Sequence, residues 1–261
     1  VLKTISLRLP KFKLEIYSII ILITVGCKEP KKETITIAAA ANMQYAIEEI
    51  SNAFTKQTGV PCELVISSSG KLTAQIIEGA PYDIFVSANM KYPNEIHENK
   101  LALETPKVYA YGQLVLWSMD QELTPSLEIL TDSRVVNVAI ANPRTAPYGK
   151  AAVEILNKNN IYDAVADKLV YGESVSQTNQ FILSKSSEIG FTAMSVVLSK
   201  KIKDQGRWIP LDKKEYTPIE QGAVMIKREI QDSTNIRKFY EFLFSKDARE
   251  ILEDFGYLVV E

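Results

Sequence analysis

The sequence is poor in the residues that do chemistry. It holds one histidine and two cysteines among 261 residues. A lone histidine and so few thiols cannot build a His/Cys metal cluster. His97 sits in the polar stretch NEIHENK, which reads as a solvated helix face. A Ser-His-Asp triad would depend on that histidine, and no Gly-x-Ser-x-Gly elbow accompanies it. An excess of positive charge is missing too, since 30 Lys and Arg against 32 Asp and Glu give a formal net charge of -2. That balance excludes a nucleic-acid groove, which needs a basic face to displace counterions. Low-complexity tracts and repeats of solenoid period are absent. At 46% apolar residues, there is material for one large domain or two small ones with an ample core.

Only the N-terminus departs from this composition. Lys3, Arg8, Lys11 and Lys13 precede SIIILITVG, an apolar run too short to span a bilayer comfortably. A basic region, an apolar run and a small-residue exit predict a signal peptide over residues 1–26. Cys27 follows Gly26 directly and resembles the lipidated cysteine of a bacterial lipobox, with Thr24 standing where leucine is usual. Residues 27–33 then read as a polar tether between lipid and domain. Export and lipidation leave Cys62 without an intrachain disulfide partner. Its setting, VPCELVI, predicts a buried and inert thiol.

From Thr34 onward, strand and helix patterns alternate. TITIAAAA reads as a strand, and Met43, Ile47, Ile50 and Phe54 fall at helical spacing, with Asn42 as N-cap and Gly59 as the stop. CELVISS, KLTAQIIEGA and DIFVSA continue as strand, helix, strand. A second set follows: strands in YGQLVLWS, VVNVAIAN, KLVYG and SEIGFTA, with helices in KAAVEILNKNNI and SQTNQFILSKS. GAVMIKR and the amphipathic NIRKFYEFLFSKDAREILEDFG close the chain as a strand and one long helix. Continuous apolar strands separated by helices imply an α/β fold with mostly parallel sheets covered on both faces.

The stretch SSSGKLT at residues 67–73 invites enzyme readings, and each lacks its companions. A P-loop needs a glycine where Val65 stands and a Ser or Thr where Leu72 stands. An acyl-enzyme on Ser68 with Lys71 as base needs Ser-Asp-Asn and Lys-Thr-Gly strings, and neither occurs. Equipment for holding an anion is more abundant. AAAANM, SSSGKL, NPRTAPYGKA and GESVSQT each join small residues to hydroxyl or amide side chains just before a helix. The first turn of a helix has free N–H groups and a partial positive charge, so it binds an anion without a formal cation. In an open α/β sheet such junctions lie at the carboxyl ends of the strands, where ligands bind.

These segments carry a specific likeness. AAAAN, SSSGKLTAQI, EGAPYDIFVSAN, NPRTAPYGKAA and SEIGFT resemble, from about Thr34 to the C-terminus, the substrate-binding proteins of bacterial molybdate ABC importers. The Gly-Ala-Pro-x-Asp segment is the most discriminating, with Pro81 and Asp83 organising a turn into a strand. The resemblance implies an α/β fold of two lobes, the type II periplasmic binding protein, each lobe a mixed, mostly parallel sheet flanked by helices. It implies lobe I over residues 34–112 and 224–261 and lobe II over 113–223.

Position by position, the resemblance implies oxyanion contacts from Ala41, Asn42, Ser69, Tyr148 and Val175, with Ser and Asn side chains adding donors. Ala193 occupies a place where some members have a ligand-binding tyrosine, and Tyr148 would compensate. Lys71 and Arg144 are expected on the surface. No cofactor and no directly bound cation is implied, and the expected protein is not an enzyme. Its expected partners are molybdate or tungstate, a permease with its ATPase, and a membrane reached through the lipid. The expected state is a monomer, periplasmic or cell-surface. A dianion ringed by amides and hydroxyls, with no acceptor, would be bound only when fully deprotonated, which disfavours hydrogen phosphate. The competing readings are a site for another anion such as sulfate on the same fold, and a secreted hydrolase using Ser68 and Lys71.

Overall fold

The computed structural model describes residues 34–228 and 233–259. The expected signal peptide, Cys27 and the tether lie outside them.

The first sheet grows from β1 (Ile35–Ala40), β2 (Cys62–Ser67) and β3 (Ile84–Ser87), which run parallel with β1 in the middle. Helices α1 (Gln44–Thr58), α2 (Ser69–Ile77) and α3 (Lys91–Glu98) alternate with them. Burial on β1 and β3 follows the two-residue period of a strand. Ile35, Ile37, Ala39, Ile84 and Val86 enter one core with Ile47, Ile50 and Phe54 of α1. Ala38 and Phe85 enter another with Leu72, Ile76 and Ile96 of α2 and α3. Both faces are therefore covered, and the strands read as unbroken apolar runs for that reason.

Strand β4 (Lys107–Gly112) leads to β5 (Leu114–Ser118) through Gln113 alone, and β5 belongs to the second sheet. That sheet adds β6 (Val138–Ala141), β7 (Leu169–Gly172), β8 (Ile189–Ala193) and β9 (Arg207–Pro210) in the order β7-β6-β8-β5-β9. Helices α4 (Pro147–Lys158), α5 (Tyr162–Val165), α6 (Val175–Leu183) and α7 (Met194–Val197) connect them. The chain returns as β10 (Ile219–Met225), and β11 (Leu258–Val259) completes the order β11-β4-β10-β3-β1-β2. Residues 219–223, expected in the second lobe, thus pair within the first sheet, Ile219 opposite Gly112. Each sheet is mixed. The parallel parts are β2-β1-β3 and β7-β6-β8, while β4, β5 and β10, the strands next to the crossings, pair antiparallel.

Two local expectations change. The single C-terminal helix is two, α8 (Ser233–Leu243) and α9 (Lys246–Asp254). The break falls where Ser245 caps α9 by accepting from the Ala248 N–H, a side-chain bond that competes with helix continuation. Asn42 is not a side-chain cap either. It lies inside a 3-10 turn, Ala41–Met43, that precedes α1. Gly59 does end α1, at a φ of 70 that suits glycine.

Candidate functional site

Four chain segments leave strand ends and enter helical turns at one place between the sheets. They are the 3-10 turn after β1, α2 after β2, α4 after β6, and α6 after β7. A small cavity lies where they meet, lined by Ala40, Ala41, Asn42, Ser68, Ser69, Ala88, Ala146, Pro147, Tyr148 and Val175. All five expected contact residues are in that lining, and all are buried, none above 5% exposed. Small side chains account for the close approach, because alanines leave room for backbone amides to line the space.

The helix starts are left open. The 3-10 turn, α2 and α4 have no side-chain cap, although Ser68 stands at the cap position of α2. Their first N–H groups have no acceptor further back in the helix and point out of its start. Ser69 and Val175 are the first residues of α2 and α6, and Tyr148 is the second of α4, after Pro147. Proline fits that first position, where an N–H would be redundant. Of the four segments only α6 is capped, by Ser174, which accepts from the Gln177 N–H.

Side chains complete the shell. Ser69 Oγ accepts the Ala88 N–H at 2.9 Å, so its own proton remains to be offered elsewhere. Burial pushes the Tyr148 hydroxyl well above its ordinary pKa, with the neighbouring Tyr257 adding to the shift. It is therefore a neutral donor. No lysine, arginine, aspartate or glutamate lines the cavity. Asn42 departs from expectation: both of its N–H groups are engaged, with Gln221 Oε1 at 2.8 Å and Tyr257 Oη at 2.9 Å. Its Oδ1 and the Tyr148 hydroxyl are buried without a hydrogen-bond partner. The side chain of Asn42 is thus an acceptor on its free side, and Gln221 and Tyr257, unmarked by any motif, hold it there.

Of the residues in the enzyme readings, Ser68 lines the cavity, while Lys71 and His97 lie outside its lining. Lys71 reaches Glu173 at 3.4 Å on the surface, and Arg144 and His97 are exposed. Among the described residues no cluster of His, Cys, Asp or Glu could hold a metal ion. Gly70 explains its own place, because its N–H donates to Thr145 O across the gap between the sheets at 3.0 Å.

Two α/β sheets, linked by short crossings and meeting over a small neutral cavity of helix starts, define a two-lobed solute-binding protein. The chain belongs to the family of bacterial extracellular solute-binding proteins, whose model matches residues 35–258. It is 35% identical over 223 residues to the molybdate-binding protein ModA of Rhodobacter capsulatus, covering 85% of this chain and 86% of that one. It is 32% identical over 227 residues to the ModA of Azotobacter vinelandii, covering 85% and 89%. Among solved structures, the periplasmic molybdate-binding protein of Azotobacter vinelandii superposes with a TM-score of 0.83 at 30% identity, over 87% of this chain and 100% of that chain.

Proposed function

We propose that the protein captures molybdate, and tungstate with it, between its lobes and hands the anion to an ABC permease and its ATPase. The observation that carries this reading is the meeting of Ala41, Asn42, Ser69, Tyr148 and Val175 in one buried cavity without a charged side chain. Relatives of this length and identity, named for molybdate, support the choice of anion. We assign the backbone N–H groups of all five residues, with the Ser69 hydroxyl, to the oxyanion. A dianion is held there by oriented dipoles, which need no ammonium or guanidinium and no acid–base step. Nothing in that shell attacks or protonates the ligand, so the site releases what it binds. We assign lobe I to residues 34–112 with the C-terminal strands and helices, and lobe II to the segment between the crossings. Cys27 would carry the lipid that keeps the protein at the outer face of a membrane. No helix among the described residues is long and apolar enough to cross one.

Calorimetric titration with molybdate, tungstate, sulfate and phosphate tests the reading. Molybdate and tungstate are expected to bind alike, because their sizes are nearly equal. A scavenging site needs a dissociation constant below roughly 10 μM, about -7 kcal/mol. Failure of every tetrahedral dianion to reach that level would overturn the proposal.

A further inference from the structure

Behind the cavity, two side chains, one from each lobe, meet on a single main-chain carbonyl. Ser195, the second residue of α7, is buried, and its Oγ donates to Asn42 O at 2.7 Å. Tyr257, also buried, accepts an Asn42 Nδ2 proton at 2.9 Å and stands 3.1 Å from both Asn42 O and Ser195 Oγ. The meeting is tied to a crossing between the sheets. Met194 N–H donates to Gln113 O at 2.9 Å, and Gln113 Nε2 donates to Gly256 O at 2.6 Å. Gly256 has a φ of 74, and a Cβ there would stand 2.7 Å from Met194 Sδ, so the corner before Tyr257 presses against α7 only as glycine. Gln113, the one residue between β4 and β5, thus sets Ser195 and Tyr257 side by side.

We infer that Ser195 is a positioning residue of the anion site, a clasp from lobe II on the turn Ala41–Met43 through which lobe I meets the anion. This rests on the anion reading above and adds a part of the affinity that no ligand contact supplies. Ser195 is not in the cavity lining, so it acts through Asn42. Its bond joins the two lobes and holds the carbonyl of a residue whose own N–H is assigned to the oxyanion. Clasp and anion each favour the closed state that the other needs, and such coupling is reciprocal. No ligand atom takes part, so every anion that fits gains equally. Loss of the Ser195 hydroxyl strands nothing within lobe I, because Tyr257 Oη can give its proton to Asn42 O. Loss of the Tyr257 hydroxyl does the opposite and leaves a buried Asn42 N–H without its acceptor.

The experiment compares the wild type, Ser195→Ala and Tyr257→Phe by stopped-flow binding of molybdate and tungstate. It adds two readouts without ligand, thermal melting and hydrogen exchange of the Gly70 amide. Gly70 N–H bonds to Thr145 O between the lobes and so reports their opening. Ser195→Ala should release both anions about fivefold faster, the worth of one hydrogen bond, with association unchanged. The ratio of the two affinities should stay as in the wild type. Exchange at Gly70 should quicken about fivefold in the same variant, since it follows the same opening. The melting temperature of ligand-free Ser195→Ala should match the wild type, while that of Tyr257→Phe should fall. An unchanged dissociation rate, or unchanged Gly70 exchange, in Ser195→Ala would overturn the inference. So would a melting temperature lowered as far as in Tyr257→Phe, which would make Ser195 a support of the fold. Absence of molybdate binding to the wild type would instead sink the function itself, and Gly70 exchange would still decide the clasp.

Discussion

At the scale of single residues, Ser69 and Asn42 illustrate what a motif can and cannot reveal. Ser69 is read correctly as standing at a strand end and helix start, because both are local patterns, and the structure adds that it is buried. Replacing it with alanine removes the proposed donor and strands the Ala88 N–H that it now accepts. Ser69→Ala should weaken molybdate binding about tenfold and lower stability by about 1–3 kcal/mol, through the unpaired buried N–H. Titration calorimetry and urea unfolding measure the two effects separately. For Asn42 the position is legible and the chemistry is not. Its partners Gln221 and Tyr257 are 179 and 215 residues away in sequence, and neither lies in a recognisable motif. Cys62 is simpler. It is half-buried rather than buried as expected, and that burial still pushes its thiol up to about 11, so thiolate is scarce at neutral pH. Alkylation by iodoacetamide at neutral pH should be far slower than for a free cysteine peptide, and urea should remove the difference.

At the scale of elements, the glycine of SSSGKLT has a role that the neighbouring lysine obscures. Gly70 lies in the first turn of α2, where a Cβ would stand 2.9 Å from Tyr92 Oη and 3.0 Å from Thr145 Cα. Thr145 belongs to the loop before α4, so the missing side chain lets one lobe approach the other. Gly70→Ala therefore has two effects of opposite sign. Alanine favours the helix by up to about 1 kcal/mol, which should hold or raise the stability of the ligand-free protein. The same methyl group obstructs the approach of Thr145 and should weaken molybdate binding about tenfold, by faster dissociation. Stopped-flow release of molybdate, set beside thermal melts without ligand, separates the two. A variant that binds as tightly as the wild type would show that Thr145 yields. The strand and helix alternation was legible here because each element carries its own period. The break at Ser245 was not, since the apolar spacing of α8 runs on into α9 and only the cap interrupts it. The edge strands β9 and β11 were also hidden, being four and two residues long with partners elsewhere in the chain.

At the scale of the whole molecule, the question is what holds the lobes together over the cavity. Among the described residues three ion pairs cross between them: Lys71 with Glu173, Lys200 with Glu49, and Lys201 with Glu48, at 3.4, 3.0 and 3.4 Å. All six side chains are more than a third exposed, so each pair is screened and worth at most about 1 kcal/mol. The hydrogen bonds between the lobes are of another kind. Ser195 Oγ on Asn42 O is buried, and Gly70 N–H on Thr145 O and Ser176 Oγ on Gln44 Oε1 are half-buried, so salt reaches them less than it reaches the exposed pairs. The anion would add to these by occupying the unmatched helix starts of both lobes at once. Stability should then follow the ligand. At a thousandfold excess over the dissociation constant, molybdate should add about 4 kcal/mol, seen as a melting temperature that climbs with the logarithm of concentration. Because no formal cation lines the cavity, that climb should persist nearly unchanged when sodium chloride is raised to about 0.5 M, where exposed pairs are largely screened. A climb abolished by salt would mean that surface charge, rather than the buried ring of amides and hydroxyls, does the holding.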